Sequence, residues 1–161
     1  MPNLSKASLK KAGQGLTGAG RASRASKVEL LERVSFFSEC SKKELAQIAD
    51  ATTEMRVPSG TVVVEQGDPG DRFYIIAEGL AYVSVGGKKV ASIHPGSFFG
   101  EMALLDQGPR TATVTAELPT RLLVLDSRSF ASLVKDNPAV ALKIMRGLAE
   151  RLRAAEAAPT H

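Results

Sequence analysis

The stretch FFGEMALLDQGPRTATVTA, residues 98–116, joins two unlike patterns: a glycine-bounded apolar turn and an alternating strand opened by Pro-Arg-Thr. Gly96, Gly100 and Gly108 let the backbone turn sharply and approach another group closely. Between them GEMALL fits one short helical turn, and unpaired amides at such a start favour an anion. Arg110 adds a permanent cation whose planar fork matches two oxygens at once, and Pro109 fixes the backbone just before it. Glu101 cannot serve the same anion; its useful role is to accept from a hydroxyl, such as that of a sugar. Phe98, Phe99, Leu104 and Leu105 surround these charges, so the segment packs against a core where charges need partners. The plain alternative is a surface pair of Arg110 with Glu101 or Asp106.

On either side of this stretch the apolar period is two. Short runs appear at TVVVE, RFYIIA, GLAYVSV, KVASI, TATVTA and RLLVLD, separated by turn formers such as Gly67, Pro69, Gly70, Gly79, Gly86, Gly87, Pro95 and Gly96. Strands this short and this regularly interrupted predict an antiparallel roll, not a parallel sheet, and no βα repeat is present. Residues 28–50 instead carry helical spacing, with Leu30, Leu31 and Val34 on one turn and Ser41 with Glu44 as a capping box for a second helix. SFFSEC reads as a tight link between them. After Asp126, Ser127 or Ser129 is expected to cap a short helix through Phe130 and Leu133. Pro138 then opens a final helix. Val140, Ala141, Ile144, Met145, Leu148 and Leu152 are expected to share its apolar face, with Lys143, Arg146, Glu150 and Arg153 away from it. The expected fold class is α+β: a jelly-roll-like antiparallel β-roll flanked by N-terminal helices and two C-terminal helices.

Composition narrows the chemistry. No apolar run is long enough to span a bilayer, and the leader lacks the apolar stretch of a secretory signal. Cys40 is the single cysteine, which removes disulfide frameworks and thiolate clusters and suits a reduced, cytoplasmic location. With only His94 and His161, neither a multi-histidine metal site nor a cupin-type enzyme is expected, and no catalytic or metal-binding residue is assigned. The +4 formal charge is uneven. Residues 1–27 hold six bases and no acid, leaving 15 bases against 17 acids in the rest. Nucleic-acid binding by the folded part thus loses its electrostatic warrant. The leader reads as disordered: a solvated tail, a tether to an anionic surface, or a targeting segment. Domains are therefore expected at 1–27, 28–157 and 158–161.

The opening stretch resembles the phosphate-binding cassette of cyclic nucleotide-binding domains, as found in catabolite activators, protein kinase A regulatory subunits and cyclic nucleotide-gated channels. Its marks are FGE, a short apolar helix, Pro-Arg followed by Thr, Ser or Ala, and an A-T/S-V strand. The resemblance extends to GDPGDRFYIIAEG and to LLERVSFFSECSKKELAQIAD, and so covers roughly residues 28–157. It implies that the amides of Gly100 and Ala103, the Arg110 side chain and the Thr111 amide hold a cyclic phosphate, with Met102 in the same cassette. Glu101 is implied as acceptor for the ribose 2′-hydroxyl and Val83 as an apolar contact beneath the base. Arg151 projects into the arc of Ile144 and Leu148 and resembles an arginine that reaches the base in channel domains. A threonine after the arginine resembles cGMP-favouring members but also occurs in members answering to cAMP; the Ala/Arg-rich, bacterial-type composition favours cAMP. The implied function is a cyclic nucleotide sensor with no attached output such as a DNA-binding domain, signalling through its last helix to an effector protein in trans. No cofactor is called for beyond that ligand. The competing reading is a degenerate member used as a scaffold or docking module.

Overall fold

The computed structural model describes residues 23–104 and 106–157, so the leader up to residue 22, Leu105 and the last four residues lie outside the described residues. Helix α1 (Arg24–Glu32) begins before the expected boundary at residue 28. Ser23 caps it by accepting from the Ser26 amide at 3.1 Å, and Arg24 donates from Nε and Nη2 to both Asp50 oxygens at 2.8 Å. Residues 24–27 are therefore helical, which corrects their expected disorder. SFF forms a 3-10 turn (Ser35–Phe37) that buries Phe36 and Phe37 completely. Helix α2 (Lys42–Ala51) starts at the expected capping box. The Ser41 hydroxyl accepts from the Glu44 amide at 3.2 Å, and Glu44 accepts from the Ser41 amide at 2.8 Å.

Eight strands follow: β1 (Thr53–Val57), β2 (Val62–Val64), β3 (Arg72–Glu78), β4 (Ala81–Val85), β5 (Lys88–Ile93), β6 (Phe98–Phe99), β7 (Thr113–Ala116) and β8 (Thr120–Asp126). They form two antiparallel four-stranded sheets, ordered β1-β8-β3-β6 and β2-β7-β4-β5. This is the expected roll, with two strands more than the apolar runs indicated. β1 turns Met55 and Val57 inward between the polar Glu54 and Arg56. β6 has only two residues, which no periodicity can register, yet it pairs with β3 through Tyr74 to Phe99 and Ile75 to Phe98.

Asp126, not a serine, caps helix α3 (Ser127–Asp136): at the extended end of β8 its carboxylate accepts from the Ser129 amide at 2.7 Å. Helix α4 (Pro138–Ala157) closes the described chain. Its buried side is Val140, Ile144 and Gly147, whereas Met145 and Leu152 are 57% and 62% exposed, with Leu142 beside them. The expected face is thus corrected, and Gly147 is the reason. A Cβ there would collide with the Phe36 backbone, so its absence lets the helix lie directly on the 3-10 turn. At 100° per residue, positions 145 and 152 then point largely the other way. Lys143, expected to face away, reaches Glu44 at 2.5 Å.

The alternation of β3 and β8 feeds two cores. One joins the helices to the outer sheet face through Leu31, Val34, Phe36, Ile48, Phe73, Leu125 and Ile144. The other fills the roll through Val57, Val63, Tyr74, Ile76, Phe99, Val114 and Leu122. β6 divides its two residues between them: Phe99 enters the roll and Phe98 packs against the helix side.

Candidate ligand site

Arg110 leaves the chain just ahead of β7 and lies across two glycines. An isolated bridge between Pro69 and Pro109 brings the Gly70 turn against it. Backbone bonds lock this register: the Gly67 amide donates to the Arg110 carbonyl, and the Arg110 amide to the Asp68 carbonyl, each at 2.8 Å. A Cβ on Gly70 would overlap the guanidinium. One on Gly100 would stand 2.6 Å from Nη1 and 2.7 Å from the Arg72 carbonyl oxygen, and Gly100 has a φ of +83°. Both glycines are therefore required by the space the guanidinium fills. Arg110 Nη2 donates to the Arg72 carbonyl at 3.0 Å, and the guanidinium carbon lies 5.9 Å from the Tyr74 ring centroid. Tyr74 in turn stacks on Phe99, with centroids 4.9 Å apart and planes 14° apart. Burial drives the Arg110 pKa below its ordinary value, against the opposing influence of Tyr74 and Asp71. The site thus holds a half-buried cation whose desolvation is not fully offset.

The expected short turn is a 3-10 turn, Glu101–Leu104. The Ala103 amide closes it by donating to the Gly100 carbonyl at 3.1 Å. Ala103 is buried, and its amide, expected to face a phosphate, is engaged within the turn. Glu101 and Met102 precede that first bond, so their amides have no acceptor within the turn. Met102 is exposed and Thr111 sits in an exposed bend directly after Arg110. Val83 is half-buried in β4, opposite Val114 and Ala91, at the margin of the roll core.

Glu101 does not pair with Arg110. Its Oε1 accepts from Nη1 of Arg151 at 3.1 Å, so a side chain of α4 meets the 3-10 turn. The same guanidinium lies 4.8 Å from the Phe98 ring centroid. Sequence reasoning brought Gly100, Glu101, Arg110 and Arg151 forward but missed three supports: Gly70 as one wall of the slot, Tyr74 behind Arg110, and Phe98 beneath Arg151. The adjacent aromatics at 98 and 99 were the signal for the last two, because successive strand residues serve opposite faces. Among the described residues no cluster of three potential metal ligands occurs, and no helix is long and apolar enough to cross a membrane.

The Arg110 slot, the 3-10 turn and the Glu101 carboxylate thus lie together at the end of β6. Residues 54–137 match the cyclic nucleotide-binding domain, and the chain belongs to that family. It is 43% identical over 113 residues to the cAMP-dependent protein kinase regulatory subunit of Dictyostelium discoideum, covering 65% of this chain and 35% of that protein. It is 37% identical over 130 residues to a cyclic nucleotide-gated potassium channel of Mesorhizobium japonicum, covering 81% of this chain and 36% of that one. Among solved structures, the N-terminal domain of a transcriptional regulator from Streptomyces coelicolor is similar at a TM-score of 0.74 and 30% identity, covering 79% and 92% of the two chains. The chain spans about a third of the length of these curated relatives.

Proposed function

We propose that this domain is a cAMP sensor, in which ligand binding is read out through the position of α4 by a protein partner in trans. The observation that carries the reading is Arg110: a half-buried guanidinium, fixed between Gly70 and Gly100 and incompletely compensated for its burial. A cyclic phosphate supplies the missing charge and matches the two-pronged donor. The free end of the 3-10 turn at Gly100, Glu101 and Met102 stands beside it, with the Thr111 amide following. The second oxygen of Glu101 takes the ribose 2′-hydroxyl, and Val83 contributes an apolar surface to the base. Arg151 belongs beside the ribose acceptor, since Glu101 already binds it in this structure. Ligand that engages Glu101 therefore acts on α4 directly, and a shift in the helix follows from its different affinity for the two arrangements. The names of the kinase regulatory subunit relatives support cAMP over cGMP.

Calorimetric titration with cAMP and cGMP, wild type beside Arg110→Ala, tests this. A charge-assisted hydrogen bond contributes about 1.5–3 kcal/mol, so the variant should bind about ten- to a hundredfold more weakly. Binding by neither nucleotide, in folded protein free of copurified ligand, would overturn the reading in favour of a docking module.

A further inference from the structure

Phe98 lies three residues before Glu101, and its ring has two sets of neighbours. It belongs to the aromatic group of the helix-side core: its centroid is 5.1 Å from that of Phe36 and 5.6 Å from that of Phe73. The Arg151 guanidinium lies over the same ring, 4.8 Å from its centroid. Phe36 is itself the residue on which Gly147 of α4 rests. The same helix thus meets the aromatic group through its backbone at Gly147 and through its side chain at Arg151. Arg151 is 46% exposed and binds a carboxylate that is 23% exposed. A pair so open to water has little intrinsic hold on one geometry. A flat apolar ring beneath the guanidinium restricts where it can sit.

We propose that Phe98 is a positioning residue for the ribose end of the site, acting through Arg151 on Glu101. Pairing of β6 with β3 fixes the ring, the ring fixes the guanidinium, and the guanidinium takes Oε1 of Glu101. The carboxylate is thereby held with Oε2 as the acceptor for a ligand hydroxyl. This rests on the assignment of Glu101 to the ribose 2′-hydroxyl. It predicts that losing the ring harms only ligands that carry that hydroxyl.

The test is titration of the full chain with cAMP and with 2′-deoxy-cAMP, using wild type, Phe98→Leu, Phe98→Tyr, Arg151→Ala and the double variant Phe98→Leu with Arg151→Ala. Phe98→Leu should weaken cAMP about two- to fivefold, the range for a partly exposed cation–π contact, and leave the deoxy ligand unchanged. Phe98→Tyr should behave as wild type, and the double variant should lose no more than Arg151→Ala alone. Equal losses for the two ligands, or additive losses in the double variant, would show that Phe98 only packs the core and would overturn the proposal. Arg151→Lys probes the same contact from an exposed helix turn without disturbing the core, since it keeps the charge and loses the flat stacking. It should show the same ribose-selective loss, and wild-type binding by this variant also overturns the proposal. Binding of neither ligand to wild type would instead defeat the site assignment itself, and Phe98's role with it.

Discussion

Arg110 and Arg151 both meet the start of the same 3-10 turn, one at Gly100 and the other at Glu101, and are held by opposite means. Arg110 is set into the roll by backbone: glycines on two sides, a carbonyl acceptor and a stacked aromatic pair behind it. Arg151 is brought by a helix and rests on one ring and one carboxylate, half open to water. The first arrangement confines the cation to one slot. The second can be remade when a ligand competes for Glu101. The proposed sensing role draws on this difference, because a helix contact held as tightly as the Arg110 slot would have nothing to report.

Several substitutions can break that contrast. Removing the slot cation with Arg110→Ala has the largest expected effect on affinity. Gly70→Ala should come next, because its Cβ occupies the guanidinium's place and the flexible side chain must leave the slot. Affinity should fall by at least about tenfold while the melting temperature stays near wild type. Normal affinity in this variant would show that the slot is not what aims Arg110. Gly147→Ala reverses the pattern. Its Cβ meets the Phe36 backbone, which cannot swing aside, so overpacking should cost about 1–3 kcal/mol of stability. Thermal unfolding should register this before titration does; an unchanged melting temperature would mean that α4 does not rest where described. The smallest effect is on pH dependence. The Lys143 hydrogen bond, then the Ser41 amide, holds the Glu44 carboxyl below the usual carboxylate range. With its proton affinity lower in the folded state, Glu44 adds stability above its unfolded pKa of about 4.3, and that stability is lost as pH falls through the folded value. Glu44→Gln should therefore flatten the acid limb of a stability profile, and an unaltered limb would show that this anchor of α4 carries no linkage.

Much of the Arg110 slot was readable in the residues and much of the helix contact was not, for a physical reason. Gly100 and Pro109 set the backbone locally around Arg110, so their spacing implies a shape before any tertiary contact is known. The roll's longer strands were legible in the same way, through the turn formers between them. α4 offers no such unique reading. Its apolar positions at 141, 142, 144, 145, 148 and 152 cover more than one arc, and periodicity alone cannot choose which arc docks. Gly147 makes the choice by having no side chain, and a pattern search discounts that residue as a weak helix former. The start of α1 escaped for a related reason: Ser23 and Arg24 acquire meaning only through Ser26 and the distant Asp50. Asp126 could be seen as a strand end or a cap, and the structure uses it as both.

The brevity of β6 sets a limit on how this chain can change length. A two-residue strand whose members serve different cores has no spare position. Deleting or inserting one residue between Gly96 and Gly100 would exchange the faces, sending the support of one arginine toward the other. The Gly86–Gly87 tip belongs to neither core, and its limit is the positive φ of both glycines, not packing. Insertions there would lengthen a hairpin; inserting or deleting one residue beside Phe98 or Phe99 would exchange the two aromatic supports at once.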